Sequence, residues 1–168
     1  YVEATRSETG RLLATLAATT NGTIGESGTG CGVATAWLRT GAPASTRVVT
    51  ADPDPELAEV ARGVLSSADV TVLTSDWTGL RGDAPYALVF LDSREAQQVS
   101  RDDVLSILED RGLVVIDDFP APTSLAWRTP DQRDYLRQEW LSDERFESVE
   151  IAVADDTTVV LAARRTSA

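Results

Sequence analysis

The stretch TIGESGTGCGVATAWLRTG, residues 23–41, opens on a short apolar segment, passes through glycines at 25, 28, 30 and 32, and finishes as a helix-like run to Gly41. Each glycine in an ordered segment costs roughly 0.5–1 kcal/mol relative to alanine, because more backbone freedom is lost on folding. A loop that spends Gly28, Gly30 and Gly32 between a strand and a helix is one that something approaches closely. The spacing is G-x-G-x-G, and Val33 stands where the dinucleotide fingerprint G-x-G-x-x-G has its third glycine.

The segments on either side decide what kind of sheet this loop belongs to. Arg47–Ala51, Val70–Thr74, Tyr86–Leu91 and Leu113–Ile116 are strand-like, and the later ones are continuous apolar runs. Such runs suit strands buried on both faces, as in a parallel sheet covered by helices. Helical patterns lie between them. Thr5 to Ala18 places Leu12, Leu13, Leu16 and Ala17 at helical spacing, Val33–Arg39 follows the glycine loop, and Val104–Leu108 joins two strands. Pro55–Leu65 predicts a helix with Leu57, Val60, Ala61, Val64 and Leu65 on one face. Thr129–Leu141 is predicted helical, and Val149–Ala154 with Thr157–Ala163 form an antiparallel pair about Asp155-Asp156. The reading is α/β: a Rossmann-like, doubly wound, mostly parallel sheet with a C-terminal antiparallel pair and helices on both faces. Ligands of such sheets bind outside the carboxyl ends of the strands.

The chain of 168 residues is read as one domain: a helical N-terminal segment to about residue 20, a core over about 21–118, and a lid with a C-terminal hairpin over about 119–168. Net charge is −12 and all 15 basic residues are arginine, a surface that repels nucleic acid and anionic membrane. Apolar runs such as Ala87–Leu91 fall far short of the roughly 18 residues of a membrane span. No basic, apolar leader opens the chain, so the expected location is the cytoplasm. The expected partner is a small-molecule acceptor; a homodimer is left open, and neither nucleic acid nor membrane is expected. Cys31, the single cysteine, has no internal disulfide partner. With no histidine and no lysine, imidazole bases, Ser–His and Cys–His pairs and Schiff-base lysines are excluded. Carboxylates, one thiol, tyrosines, arginines and a cofactor remain to carry chemistry.

The second strand ends at Asp52-Pro53, with Asp52 placed 20 residues beyond Gly32. An acid there is positioned to hold ribose hydroxyls, and equally to cap the helix that starts at Pro55. Glu26 to Gly32, followed by VVTADPDPELAEVA, resembles motifs I and II of class I S-adenosylmethionine-dependent methyltransferases. SETGRLLATLA resembles the Ser/Thr-x-x-Gly helix ahead of the fold in catechol and caffeoyl-CoA O-methyltransferases. VTVLTSDW, YALVFLD and RGLVVIDDF resemble the motifs of the third, fourth and fifth strands. The motifs span residues 7 to about 119 in order, and the chain looks especially like small actinobacterial members.

The resemblance implies an S-adenosylmethionine-dependent O-methyltransferase of a small molecule. The cofactor site it implies comprises Glu26, Ser27, Gly28, Thr29, Gly30 and Gly32 in the loop, Asp52 and Pro53 at the ribose, and Ser75, Asp76 and Trp77 near the adenine. Ser7 and Thr9 are candidates for the cofactor carboxylate, and Asp92 closes the site. Trp77 is equally placed to stack on the adenine or to cap the core. Catechol-type relatives carry Asp, Asp and Asn where this chain has Asp92, Asp117 and Asp118, and there a divalent cation orients a diol. A Mg²⁺-like ion is therefore implied on Asp92, Asp117 and Asp118, since hard oxygen ligands relieve the repulsion of grouped carboxylates. The family lysine three residues after the fourth-strand aspartate is Glu95 here, beside Arg94. Arginine stays protonated, which leaves Asp92, Asp118 and Glu95 as the candidate catalytic carboxylates. Two other readings stand beside this one: a noncatalytic cofactor-binding or interaction domain of the same fold, and an NAD-type Rossmann module.

Overall fold

The computed structural model describes residues 4–66, 69–92, 99–121 and 132–166. Helix α1 (Ser7–Ala18) is followed by β1 (Ile24–Ser27), α2 (Val33–Gly41), β2 (Val48–Asp52), α3 (Pro55–Val64) and β3 (Val70–Thr74). A 3-10 turn over Trp77–Asp83 leads into β4 (Tyr86–Leu91). The chain then forms α4 (Arg101–Ile107), β5 (Leu108–Pro120), α5 (Gln132–Ser142), β6 (Phe146–Ala152) and β7 (Thr157–Arg164). The seven strands form one sheet in the order β3-β2-β1-β4-β5-β7-β6. Only β7 runs against its neighbours, pairing antiparallel with both β5 and β6. This is the expected sheet, with its switch point between β1 and β4.

The two faces of the sheet bury different sets. On one, Leu13 and Ala17 of α1 and Ala34 and Leu38 of α2 cover Ile24, Val48, Leu88, Phe90 and Val115. On the other, Trp77, Leu80, Val104, Ile107, Leu136 and Trp140 cover Val49, Ala51, Val89, Leu91, Val114 and Ile116. Alternate residues of each strand thus enter opposite cores, which is why the central strands read as unbroken apolar runs. Helices α1 and α2 pack with little room between them. A Cβ on Gly10 would fall 2.3 Å from the Trp37 indole nitrogen, and one on Gly41 would fall 2.0 Å from the Ala14 carbonyl oxygen.

Helix α3 departs from the predicted face. Ala58 and Ala61 are buried, whereas Val60 and Val64 are exposed. It packs on β2 and on β3, the outermost strand, so only a narrow stripe meets the sheet. Strand β5 is longer than the predicted Leu113–Ile116, and its pairing with β7 slips between Ile116 and Phe119. Among the described residues, no helix is long and apolar enough to cross a membrane.

Candidate active site

Strand register builds the site. Ser27 lies opposite Ala51 and Leu91, and Leu91 opposite Ile116, forming one row across four strands. The next residue of each strand is therefore at the carboxyl edge: Gly28, Asp52, Asp92 and Asp117. The Asp92 N–H donates to the Ser27 carbonyl at 3.3 Å, the Gly28 N–H to Ala51 at 2.9 Å and the Ser75 N–H to Asp52 at 3.0 Å, which ties the exits of four strands together. Residues far apart in sequence thus share one edge.

The glycine loop folds down onto that edge. Gly30 and Gly32 have φ of +52° and +86°, left-handed values that an L side chain rarely adopts. At Gly32 a Cβ would also press on Leu65 at 3.0 Å. Asp52, 6% exposed, fixes the loop: its Oδ2 accepts from the Gly30 N–H at 2.7 Å and its Oδ1 from the Asp54 N–H at 2.9 Å. The α3 N-cap is Asp54, which accepts from the Glu56 N–H at 2.8 Å. Asp52 therefore braces the loop against β2 and does not cap the helix.

Glu26, on the same sheet face as α2, is fully buried. Its Oε2 accepts from the Thr35 hydroxyl, while Oε1 and the neighbouring Ser27 hydroxyl are buried without a hydrogen-bond partner among the described residues. Burial raises the Glu26 pKa to about 7, the Thr35 and Thr50 hydroxyls oppose the shift, and Asp52 and Asp92 add to it. Thr35 and Thr50 were not singled out in the sequence. Thr50 lies opposite Glu26 in the β1–β2 register, a pairing recoverable only once the strands are aligned.

At the other end of the edge, Asp117 is buried and Asp118 exposed. They sit where β5 slips against β7, and Asp118 takes φ +64°. The bulge sends consecutive side chains to different environments. Asp117 Oδ1 accepts from the Asp118 N–H at 2.7 Å and from the Thr9 hydroxyl of α1 at 3.2 Å. Burial raises its pKa to about 6, the two hydrogen bonds oppose this, and Asp118 and Asp92 add to it. A cavity of about 310 Å³ lies beside these acids, lined by Ala4, Thr5, Arg6, Asp92, Asp117, Asp118 and Thr157. Arg6 grips Asp156 through two 3.0 Å hydrogen bonds and so ties the start of α1 to the β6–β7 turn.

The acids do not form the expected cation set. Among the described residues, no group of three or more His, Cys, Asp or Glu side chains is arranged to hold a metal ion. The physical reason is the β5 bulge, which turns Asp117 inward to Thr9 and leaves Asp118 at the surface.

The other expected site residues have different surroundings. Ser7 is exposed and donates to Glu8 at 3.1 Å. Thr29 is buried with its hydroxyl 2.5 Å from that of Thr50, and Pro53 is exposed. Ser75 is half-buried, and Asp76 caps the 3-10 turn by accepting from the Thr78 N–H at 3.0 Å. Trp77 belongs to the core, with the Arg81 guanidinium 4.7 Å from its ring centroid. Arg94, Glu95 and the lid over 122–131 lie outside the described residues.

No protein-family model matches the chain, and no curated protein matches it. Solved structures do. Cofactor-bound Rv0187 from MTB superposes with a TM-score of 0.81 at 21% identity, over 98% of this chain and 83% of that one. The chain has a class I methyltransferase fold. A methyltransferase from Geobacter sulfurreducens shares this fold at a TM-score of 0.74 and 23% identity, over 97% of this chain and 80% of its own. The O-methyltransferase TomG from Streptomyces achromogenes, involved in tomaymycin synthesis and solved with SAM, gives 0.78 at 19% identity, over 97% and 82%.

Proposed function

We propose that the chain is a cytoplasmic S-adenosylmethionine-dependent methyltransferase that methylates an oxygen of a small-molecule acceptor. The observation that carries this reading is the glycine loop braced by Asp52 beside the unpartnered, buried Glu26 Oε1 and Ser27 hydroxyl. Buried polar atoms without partners are rare, and here they lie at the carboxyl end of β1, directly before the glycine loop where this fold takes its nucleotide. The residues present fit the cofactor.

Glu26, Ser27, Gly28, Thr29, Gly30 and Gly32 would hold its amino-acid end, and Asp52 with Pro53 its ribose. Ser75 and Asp76 are the candidates at the adenine, and Ser7 and Thr9 at the cofactor carboxylate. When bound, S-adenosylmethionine would supply an electrophilic methyl group on a sulfonium, which passes in line to the acceptor oxygen with S-adenosylhomocysteine as the leaving group. Holding the acceptor in that line supplies much of the rate. The cavity beside Asp92, Asp117 and Asp118 is the acceptor site in this reading, with Asp92 or Asp118 taking the hydroxyl proton. Among the described residues these acids are not arranged to hold a metal ion.

Calorimetry with S-adenosylhomocysteine and with NAD tests the cofactor. The expected result is saturable binding of the first alone, lost in Gly30→Val while cooperative unfolding is kept. Binding of NAD instead would move the chain to the dinucleotide modules. Turnover of radiolabelled S-adenosylmethionine on a panel of phenols and other hydroxyl compounds tests the activity. Binding without any turnover would favour a noncatalytic domain.

A further inference from the structure

Burial and two neighbouring anions hold the Glu26 carboxyl well above the usual carboxylate range. It lies wholly inside the sheet–helix interface, with Thr35 of α2 on one oxygen and no partner on the other. The charged groups acting on it are Asp52 at the end of β2 and Asp92 after β4, both anionic. The basic residue of α2, Arg39, is turned to the carbonyls of Ala42, Pro43 and Thr46 and offers Glu26 nothing. The Thr50 hydroxyl, opposite Glu26 on β2, also contacts Thr29, and with Thr35 it lowers the Glu26 pKa against the larger effect of burial.

We propose that Glu26 makes cofactor binding proton-linked: it gives up its proton as its unpartnered oxygen accepts a hydrogen bond from the cofactor's ammonium group. The inference rests on the cofactor reading above. The balance is simple: a carboxylic acid and an ammonium-bearing ligand give a carboxylate–ammonium pair and one proton released to buffer. No electrons move. Because the pKa lies near 7, release is about half a proton at pH 7. The affinity should therefore weaken as the pH falls from 8 to 6, by an amount on the order of tenfold. Partial protonation of Glu26 lowers the like-charge repulsion with Asp52 and Asp92 while the site is empty.

The test is calorimetry of S-adenosylhomocysteine binding at pH 7 in buffers of different ionisation enthalpy, which counts protons without needing turnover. 5′-Methylthioadenosine, which has no amino-acid end, is the comparison ligand. Proton release with S-adenosylhomocysteine, absent with methylthioadenosine and absent in Glu26→Gln, is the expected result. Binding of both ligands with no proton release, or release unchanged in Glu26→Gln, overturns the inference alone. If Glu26→Gln fails to fold, the wild-type proton count and its pH dependence decide the matter by themselves. Failure of both ligands to bind would overturn the cofactor reading and this inference with it.

Discussion

Replacing Asp52 by alanine tests the brace at the centre of the site. The carboxylate accepts two backbone N–H groups, from Gly30 at 2.7 Å and Asp54 at 2.9 Å. Hydrogen bonds to a charged group contribute about 1.5–3 kcal/mol each. Both donors lie at a partly solvated edge and regain water when the acceptor is removed, so the lower end applies and the summed loss is about 2–4 kcal/mol. Removing a neighbouring anion from Glu26 offsets a part of this. For a chain of this length that corresponds to a fall in Tm on the order of 6–10 °C. Urea unfolding followed by circular dichroism is the assay, with an unchanged m-value showing that the same surface unfolds. In the surviving folded protein, S-adenosylhomocysteine binding should weaken by about 1.5–3 kcal/mol. Asp52→Asn keeps one acceptor oxygen and should fall between wild type and alanine. A loss of stability below about 0.5 kcal/mol would falsify the claim that Asp52 fixes the loop.

The unliganded protein should lose stability as pH rises from about 4 to 7. Glu26 and Asp117 have folded pKa values of about 7 and about 6, above their unfolded values, so the folded state binds more protons in that window. Glu26 alone contributes on the order of 3 kcal/mol to the fall, and a Tm that climbs between pH 5.5 and 7.5 would refute the burial argument. Gly10→Ala should destabilise by about 1–3 kcal/mol through overpacking, because the new methyl meets the Trp37 ring; equilibrium unfolding checks it, and an unchanged midpoint would mean that α1 and α2 are free to separate.

Much of the architecture was legible in the sequence because it depends on short-range regularities. Apolar runs at Tyr86–Leu91 and Leu113–Ile116 mark strands covered on both faces, and a glycine-rich exit to a helix marks the loop, since both patterns lie within a few consecutive residues. The same locality made Asp52, Asp92 and Asp117 visible as strand-end acids. What they do there was not visible. The row Ser27–Ala51–Leu91–Ile116 that brings these acids to one edge is a product of strand pairing between distant segments. Asp52 was legible as an acid near the ribose or as a helix cap; only the folded loop gives it the Gly30 N–H, 22 residues away. The slip of β5 against β7, which parts Asp117 from Asp118, arises from pairing with a strand some 40 residues later, and no local pattern announces it. The Val60–Val64 stripe went the wrong way for a related reason: helical periodicity identifies an apolar face but not how wide a sheet lies beneath it. The sequence by itself determined which residues are strand, loop and acid, because those follow from each residue and its neighbours. Tertiary structure decided which acid is buried, which is braced and which faces water, because burial and charge depend on everything the chain packs against them.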